Sequence, residues 1–242
     1  MIPRIHWAAS VAGPNLLGPD ESHHLIRVLR LEVGSPVILF NGRGMEARGR
    51  VVDAHAKGCQ VHLEALESVQ RESPIRTVVI QSLCLGDKMD WVVQKATELG
   101  VSEVWPVQAA RSQLQLVGDR ASKRQAHWQR MVEAAAAQCG RNQMPKVHPV
   151  APLSTALSSY RDQTGPKAGW LLDPFAQDSV SKASLEPNLW VAIGPEAGWT
   201  DQEEQDARDA GFEGLRLGPR VLRTETVASA ILSVIAVKAS EF

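Results

Sequence analysis

The spacing of apolar and polar positions changes near residue 73 and divides the chain into two parts. Before that point, short β-like runs are separated by turn signals, among them Asn41-Gly42-Arg43-Gly44 and Lys57-Gly58. The runs cover residues 36–40, 51–54 and 59–66. Short strands joined by such turns are typical of a small antiparallel barrel or sandwich, which we predict for residues 1–73.

One segment of this first part has helical spacing instead. Glu21–Leu29 places Leu25, Val28 and Leu29 on one face. The side chains around that face belong to His23, His24, Arg27 and Arg30. We therefore predict one short helix here, apolar on one side and basic on the other.

From residue 74 onward, apolar strands alternate with amphipathic helices. The predicted strands cover residues 77–85, 101–107, 169–172, 189–193 and 215–217. This alternation predicts an α/β domain over 74–242, with a mostly parallel sheet that helices cover on both faces. In such sheets, ligands bind at the carboxyl ends of the strands.

The helices between these strands carry start and stop residues. They are predicted over residues 87–100, 119–140, 200–211 and 225–238. Asp87 is suited to cap the first of them, and Thr200 forms a capping box with Glu203 at the start of the third. The last helix is apolar almost all round and must be covered on more than one side. A second subunit is the simplest cover, so we expect a homodimer.

Composition limits the class of protein. A chain of 242 residues with 44% hydrophobic and 22% charged residues can bury a substantial core. The sequence starts without a signal-peptide pattern, and its longest apolar run, 230–237, is far shorter than the roughly 20 residues that span a bilayer. We expect a cytoplasmic protein with no membrane contact. Its three cysteines are far apart and form no C-x-x-C pair, so we expect neither disulfides nor a metal site.

Charge is unevenly distributed, although the formal net charge is only −1. Residues 74–149 hold 10 basic and 6 acidic side chains, whereas 150–242 hold 8 and 13. A local basic excess contains Arg111, Arg120, Lys123, Arg124, Arg130, Arg141 and Lys146. This excess could meet the phosphates of a nucleic acid, and a solvated helix face is the alternative.

Two predicted strand ends have the composition of binding loops. They are LWVAIGPEAGWT, residues 189–200, and LRLGPRVLRTETVASA, residues 215–230. Glycine lets a ligand approach the backbone, and proline stiffens the loop. Neither segment matches a phosphate-binding or dinucleotide-binding glycine motif, and Glu196 would repel a pyrophosphate. A cationic ligand fits better, such as a nucleoside that carries a sulfonium and an amino acid; a plain tight turn is the alternative.

Five blocks carry a family resemblance. They are HHLIRVLRL (23–31), GDKMDWVVQKATELGV (86–101), EAAAAQCGRNQMP (133–145), IGPEAGWTDQE (193–203) and LGPRVLRTETV (217–227). In this order, over nearly the whole chain, they resemble the RsmE family of ribosomal RNA methyltransferases in the SPOUT superfamily. Two positions depart from the family pattern: Ala197 replaces a glycine and Val227 an alanine. The change at Ala197 matters only if that position requires a positive φ.

The resemblance implies a fold, a reaction and partners. Residues 1–73 would form a PUA-like β-barrel that binds RNA, and residues 74–242 a SPOUT domain with a C-terminal trefoil knot. The family is homodimeric and transfers a methyl group from S-adenosylmethionine to N3 of one uridine in 16S ribosomal RNA. We therefore expect 16S rRNA or the 30S ribosomal subunit as the partner.

The chemistry of that reaction selects candidate catalytic residues. Uridine N3 carries a proton at neutral pH; a carboxylate within reach could accept it, and an arginine could stabilise the uridine anion. Our candidates are Glu196 or Glu225 as the base and Arg223 as the anion stabiliser. For Glu225 the alternative is a favourable charge at a helix N-terminus.

The resemblance also implies binding residues. Cofactor contacts would come from Leu171, Leu172, Asp173, Gly194, Pro195, Glu196, Ala197, Gly198, Leu217, Gly218, Leu222, Arg223, Thr224, Glu225 and Thr226. For RNA contacts we expect Arg4, His24, Arg27, Arg30, Lys88, Lys95, Arg111, Arg124 and Arg141, because phosphates favour long cationic side chains.

Two other functions remain open from the sequence alone. The chain could be an RNA-binding or ribosome-assembly protein that has a cofactor pocket but a different or lost transferase activity. A Rossmann-type enzyme is disfavoured, because residues 83–88 at the first βα turn contain a single glycine.

Overall fold

The computed structural model describes residues 2–242 and divides into two compact units. The first unit holds the described residues up to Glu72 together with Ala136–Met144. The second holds Ser73–Ala135 and Pro145–Phe242. The sequence pattern places residues 136–144 in the second domain, whereas in the structure they pack with the first.

The first unit is built on a six-stranded sheet. Its strands are β1 (Arg4–His6), β2 (Gly13–Leu16), β3 (Pro36–Phe40), β4 (Met45–Asp53), β5 (Gln60–Leu63) and β6 (Glu67–Ser68). The order across the sheet is β1-β3-β4-β5-β2, and β6 pairs with β4. The β1–β3 pair is parallel and the other pairs are antiparallel. Alternate residues of the long strands, such as Val37 and Leu39, point into one hydrophobic core.

The turn predicted between β3 and β4 is present. The Asn41 side-chain oxygen accepts the backbone N–H groups of Arg43 and Met45, at 2.8 and 3.1 Å. Gly42 and Gly44 have φ values of 74° and 96°, which an L side chain rarely adopts.

The helix predicted over 21–29 is different in the structure. A short helix α1 (Pro19–His23) is followed by a π-helical turn over His24–Val28. In this turn Leu29 donates its N–H to the His24 carbonyl, five residues earlier, so the side chains advance by a smaller angle per residue. Leu25 alone of the three predicted face residues is buried, and Val28 and Leu29 are exposed. The predicted apolar face was therefore wrong.

The second unit contains an eight-stranded sheet in which every pair is parallel. Its strands are β7 (Arg76–Ser82), β8 (Glu103–Gln108), β9 (Lys146–Val147), β10 (Ala151–Pro152), β11 (Ala168–Leu172), β12 (Asp178–Ser179), β13 (Asn188–Ile193) and β14 (Phe212–Arg216). The order is β10-β8-β7-β13-β11-β14-β12, and β9 pairs with β8. This confirms the α/β class with a mostly parallel sheet.

Helices cover both faces of this sheet. They are α2 (Lys88–Glu98) and α6 (Thr224–Lys238) on one face and α4 (Leu153–Arg161) and α5 (Asp201–Asp209) on the other, and α3 (Gly118–Cys139) is the longest helix of the chain. Along β7, Val79 packs in a core cluster with α2 and α6, whereas Val78 and Ile80 pack in a cluster with α4 and α5. The two-residue period of the strands therefore supplies two cores, one on each face.

The ends of these helices test the predicted capping residues. Thr200 and Glu203 form the expected capping box at the start of α5. Gly100 and Gly211 follow α2 and α5 with φ values of 86° and 98°. Asp87 occupies the N-cap position of α2, but its side chain makes no capping hydrogen bond, so that detail was wrong.

The last helix, α6, is only partly covered in the single chain. Ala228, Ile231, Leu232 and Ile235 are buried against the sheet and α2. Val237 remains exposed on another side. Over residues 2–242, no helix is both long enough and apolar enough to cross a membrane.

Candidate cofactor cleft

A cleft of about 680 Å³ lies where β11, β13 and β14 end. Its walls are the segments that follow these strands, and the size is ordinary for a small-molecule site. Most of the predicted cofactor residues line it: Leu172, Asp173, Gly194, Pro195, Glu196, Ala197, Gly198, Leu217, Gly218, Leu222, Arg223 and Thr224. Leu171, Glu225 and Thr226 do not belong to its lining.

The loop 194–198 is shaped by close packing at one end and by backbone conformation at the other. A Cβ on Gly194 would lie 3.0 Å from Nε1 of the Trp199 indole, so a side chain there would push the indole away. Gly198 has a φ of 73° and takes the left-handed conformation of the loop. Among the described non-glycine residues, positive φ occurs at Arg30 and Ser240, so Ala197 fits this loop without strain.

Hydrogen bonds from other elements hold this loop. Thr224, the first residue of α6, donates its hydroxyl to the Gly194 carbonyl at 2.9 Å. The same hydroxyl accepts a hydrogen bond from the side-chain amide of Gln81 on β7, also at 2.9 Å. Arg111 donates to the carbonyls of Ala197 and Trp199 at 3.3 and 2.8 Å. Sequence reasoning missed Gln81, although a glutamine directly after the apolar run 78–80 of a predicted strand was a visible signal.

An ammonium group lies beside two carboxylates near the cleft. Nζ of Lys88 is 2.7 Å from Glu196 and 3.7 Å from Glu225. Burial opposes ionisation of Glu196, but the hydrogen bond and charge of Lys88, with a backbone hydrogen bond, outweigh it and hold the pKa of this carboxyl below its usual value. Glu196 is therefore an anion at neutral pH. One carboxylate oxygen of Glu225 is buried and has no hydrogen-bond partner among the described residues.

Cys84 is buried near Glu196 and is not suited to act as a nucleophile. Burial and the charge of Glu196 raise the pKa of the Cys84 thiol to about 12. A thiol of this kind stays protonated at neutral pH and acts as a small hydrophobic group.

The charged lining of the cleft has both signs. Asp173, Glu196, Asp201 and Glu204 supply carboxylates. Arg220 and Arg223 are exposed on the segment between β14 and α6 and also line the cleft. Within residues 2–242, neither guanidinium has a hydrogen bond or an ion pair, so both are free to meet a ligand. No group of three His, Cys, Asp or Glu side chains in this range is arranged to hold a metal ion.

Two arginines that we expected on the RNA surface have structural roles instead. The Arg4 side chain is only 9% exposed and binds Glu46 at 2.5 Å and the Asn142 side chain at 2.6 Å. The Arg141 side chain is 7% exposed and pairs with Glu72. Because both guanidiniums are buried and engaged within the first unit, the single chain does not present them to RNA phosphates as we expected.

Other predicted RNA residues divide into engaged and free groups. Lys95 pairs with Glu98, Arg124 lies 3.6 Å from Asp90, and Lys88 and Arg111 hold the cleft loop as described. His24, Arg27 and Arg30 are exposed on and after the π-helical turn, and the described residues offer their side chains no ion pair.

Family comparisons agree with this geometry. The family model described as an RNA methyltransferase domain matches residues 71–236, and one described as an RNA methyltransferase PUA domain matches residues 17–64. The chain is 32% identical over 224 residues to Ribosomal RNA small subunit methyltransferase E of Bacillus subtilis, covering 89% of this chain and 87% of that protein. The Mycobacterium bovis protein of the same name is 31% identical, covering 92% of this chain and 86% of that one.

A solved structure is also similar. It is the ribosomal RNA small subunit methyltransferase E of Neisseria gonorrhoeae, determined with bound S-adenosyl methionine. Its TM-score to this chain is 0.89 at 30% sequence identity, and the match covers 98% of each chain.

Proposed function

The chain belongs to the RNA methyltransferase family that includes the ribosomal RNA small subunit methyltransferases E, and on that premise we propose that it methylates small-subunit ribosomal RNA with S-adenosylmethionine as the methyl donor. The observation that carries the proposal is the cleft at the ends of β11, β13 and β14. The segments that line it include two of the blocks that resemble the family.

The cleft suits this cofactor in size, space and charge. A Cβ on Gly218 would meet no atom within 4 Å, so there is open space against the backbone for a ligand. Carboxylates in the lining can attract a sulfonium and an ammonium group, and arginines can bind a carboxylate. We propose that Leu172, Asp173, the loop 194–198 and the segment 217–224 hold the cofactor.

The finer part of the proposal is that the methyl group goes to N3 of a uridine in 16S rRNA. The bound cofactor supplies a methyl carbon that its sulfonium activates. The protein must hold N3 in line with that carbon and take the N3 proton away. Arg223 is exposed and unpaired at the cleft, so we assign it to the uracil oxygen on which negative charge develops.

Glu196 is the better candidate for the proton acceptor. It lines the cleft and is ionised at neutral pH, whereas Glu225 is not part of the lining. Glu225 lies in the first turn of α6 near Lys88, where a carboxylate is favourable without a catalytic role. We therefore assign the N3 proton to a Glu196 oxygen and give Glu225 a positioning role.

The first unit contributes RNA binding in this proposal. His24, Arg27 and Arg30 are each exposed and are available to phosphates. The proposal also includes the trefoil knot in the C-terminal part of the chain, a cytoplasmic location, and a homodimer that covers the exposed side of α6 around Val237.

Methylation of 30S subunits from a strain that lacks the gene tests the function. We expect the purified protein and S-adenosylmethionine to add one methyl group, and mass spectrometry of digested 16S rRNA to identify it as 3-methyluridine. Calorimetry with S-adenosylhomocysteine tests the cleft separately. Cofactor and RNA binding without methyl transfer would instead support the ribosome-assembly function.

A further inference from the structure

We propose that Phe175 is a stacking platform for a base of the RNA substrate, at the rim of the cleft. This inference rests on the proposed function, because it needs RNA at that cleft. It assigns a substrate contact to a residue outside the blocks that carry the family resemblance.

Phe175 is unusually exposed for a phenylalanine beside a cavity. It lines the cleft, yet 85% of its surface is open to solvent. No aromatic ring or cation within the described range of the chain lies against its faces. A large apolar side chain that is exposed in the lining of a cleft is available for contact with a ligand.

The backbone that carries the ring is held in place. An Asp173 carboxylate oxygen accepts the N–H of Phe175 at 2.8 Å, and the Asp173 carbonyl accepts the N–H of Ala176 at 3.2 Å. The Arg216 guanidinium donates to the Ala176 carbonyl at 3.1 Å. Because these bonds fix the turn before any ligand binds, little backbone freedom is lost when a base stacks on the ring.

The other aromatic side chain of the cleft cannot serve this purpose. Trp199 is only 5% exposed and packs against Gly194. Trp91, on α2, is half-exposed, but Lys95 lies over its ring at 5.1 Å. Phe175 is therefore the ring that the cleft offers to an incoming planar group.

Other residues of the same cleft lining favour RNA as the source of that group. Arg220 and Arg223 bring two unpaired cations to the same lining, and the exposed Val221 lies between them in sequence. Aromatic and cationic side chains together are the usual surface for unstacked RNA bases. A base that leaves the RNA stack for methylation loses its stacking partners, and an exposed ring replaces one of them.

The adenine of the cofactor is the other planar group that could stack on Phe175. Two binding measurements distinguish adenine from an RNA base. The variants are Phe175→Ala, which removes the ring, and Phe175→Trp, which restores an aromatic face. Phe242→Ala is the matched control, because Phe242 is 76% exposed and is not part of the cleft lining. Calorimetry gives the affinity for S-adenosylhomocysteine without RNA. Filter binding gives the affinity for 30S subunits from the deletion strain, with S-adenosylhomocysteine present.

We expect Phe175→Ala to weaken 30S binding by about fivefold or more and to change S-adenosylhomocysteine affinity by less than about twofold. Phe175→Trp should restore the 30S affinity, and Phe242→Ala should leave both affinities unchanged. Unchanged 30S binding by Phe175→Ala would overturn the proposal. A loss confined to S-adenosylhomocysteine would also overturn it and assign the ring to adenine. Because neither measurement needs turnover, the absence of methylation by the wild-type protein would count against the proposed function alone.

Discussion

Replacing Lys88 with methionine separates two roles for this side chain. The basic residue at the start of α2 is expected on sequence grounds to contact an RNA phosphate. In the structure its Nζ lies 2.7 Å from Glu196 and 3.7 Å from Glu225, so it ties the cleft loop to α2 and α6. Methionine keeps the length and apolar body of the side chain and removes only its charge.

The free-energy cost of removing the Lys88 charge follows from the solvent exposure of the Lys88–Glu196 ion pair. Both side chains are partly exposed, so one such ion pair contributes about 0.2–1 kcal/mol. Lys88 also separates the negative charges of Glu196 and Glu225, which places the loss near the upper end, at about 1 kcal/mol. A loss of about 1 kcal/mol from the cofactor-bound state corresponds to about a fivefold weaker affinity for S-adenosylhomocysteine. The pKa of Glu196 should rise when the ammonium is removed.

Calorimetry measures the loss of S-adenosylhomocysteine affinity in Lys88→Met, and Lys88→Arg should restore most of that affinity. Lys95→Met is the matched control, since Lys95 makes a similar ion pair with Glu98 on the same helix, at 2.8 Å. Filter binding to 30S subunits at several salt concentrations tests whether Lys88 contacts an RNA phosphate. If Lys88→Met keeps its cofactor affinity but weakens RNA binding and lowers the salt slope by about one, Lys88 is a phosphate contact and the loop argument is refuted.

Three further predictions concern catalysis and stability. Arg223→Ala should lower kcat by about a hundredfold and weaken S-adenosylhomocysteine affinity far less; equal losses in both would remove its catalytic role. Thr224→Val leaves the Gly194 carbonyl without its donor and should cost about 1–3 kcal/mol of unfolding free energy in urea titrations. A hydrogen bond with His148 is the main cause that lowers the pKa of Glu103 to about 2. The ionised Glu103 therefore stabilises the folded state fully above about pH 4.5, and this stabilisation disappears as the pH falls towards 2. Glu103→Gln should remove up to about 3 kcal/mol of the fall in unfolding free energy between about pH 4.5 and pH 2. An unchanged fall in unfolding free energy over this pH range would contradict the assignment.

Regular elements were predictable where one physical signal dominated. Strands β7 and β13 are buried on both faces of the sheet, so they stand in the sequence as continuous apolar runs. The capping box of Thr200 and Glu203 is local chemistry and needs no knowledge of the fold. Helix α4 was missed because its serines and threonine weaken helix propensity. The apolar spacing of Leu153, Ala156, Leu157 and Tyr160 was the signal for it.

The position of the site was predictable from the sequence, but many of the interactions within it were not. Glycine, proline and charge at strand ends indicated the cleft loops, because those residue types report backbone shape directly. Whether a cation is free or paired depends on residues far away in the chain. Arg4 binds Asn142, which is 138 positions later, and no local pattern shows that partner. Gln81 and Thr224 are likewise 143 positions apart.

The discontinuous make-up of the first unit has a consequence for the order of events during synthesis. Asn142 bonds Arg4, and Arg141 pairs with Glu72, yet both arrive on the chain long after the strands that they support. As the nascent chain emerges, the β-sheet of the first unit is complete at Ser68, but the buried Arg4 guanidinium has no Asn142 to bind. A fragment that stops at Glu72 should therefore be less stable than the same unit in the full chain. The unit finishes folding only after residue 144 has left the ribosome.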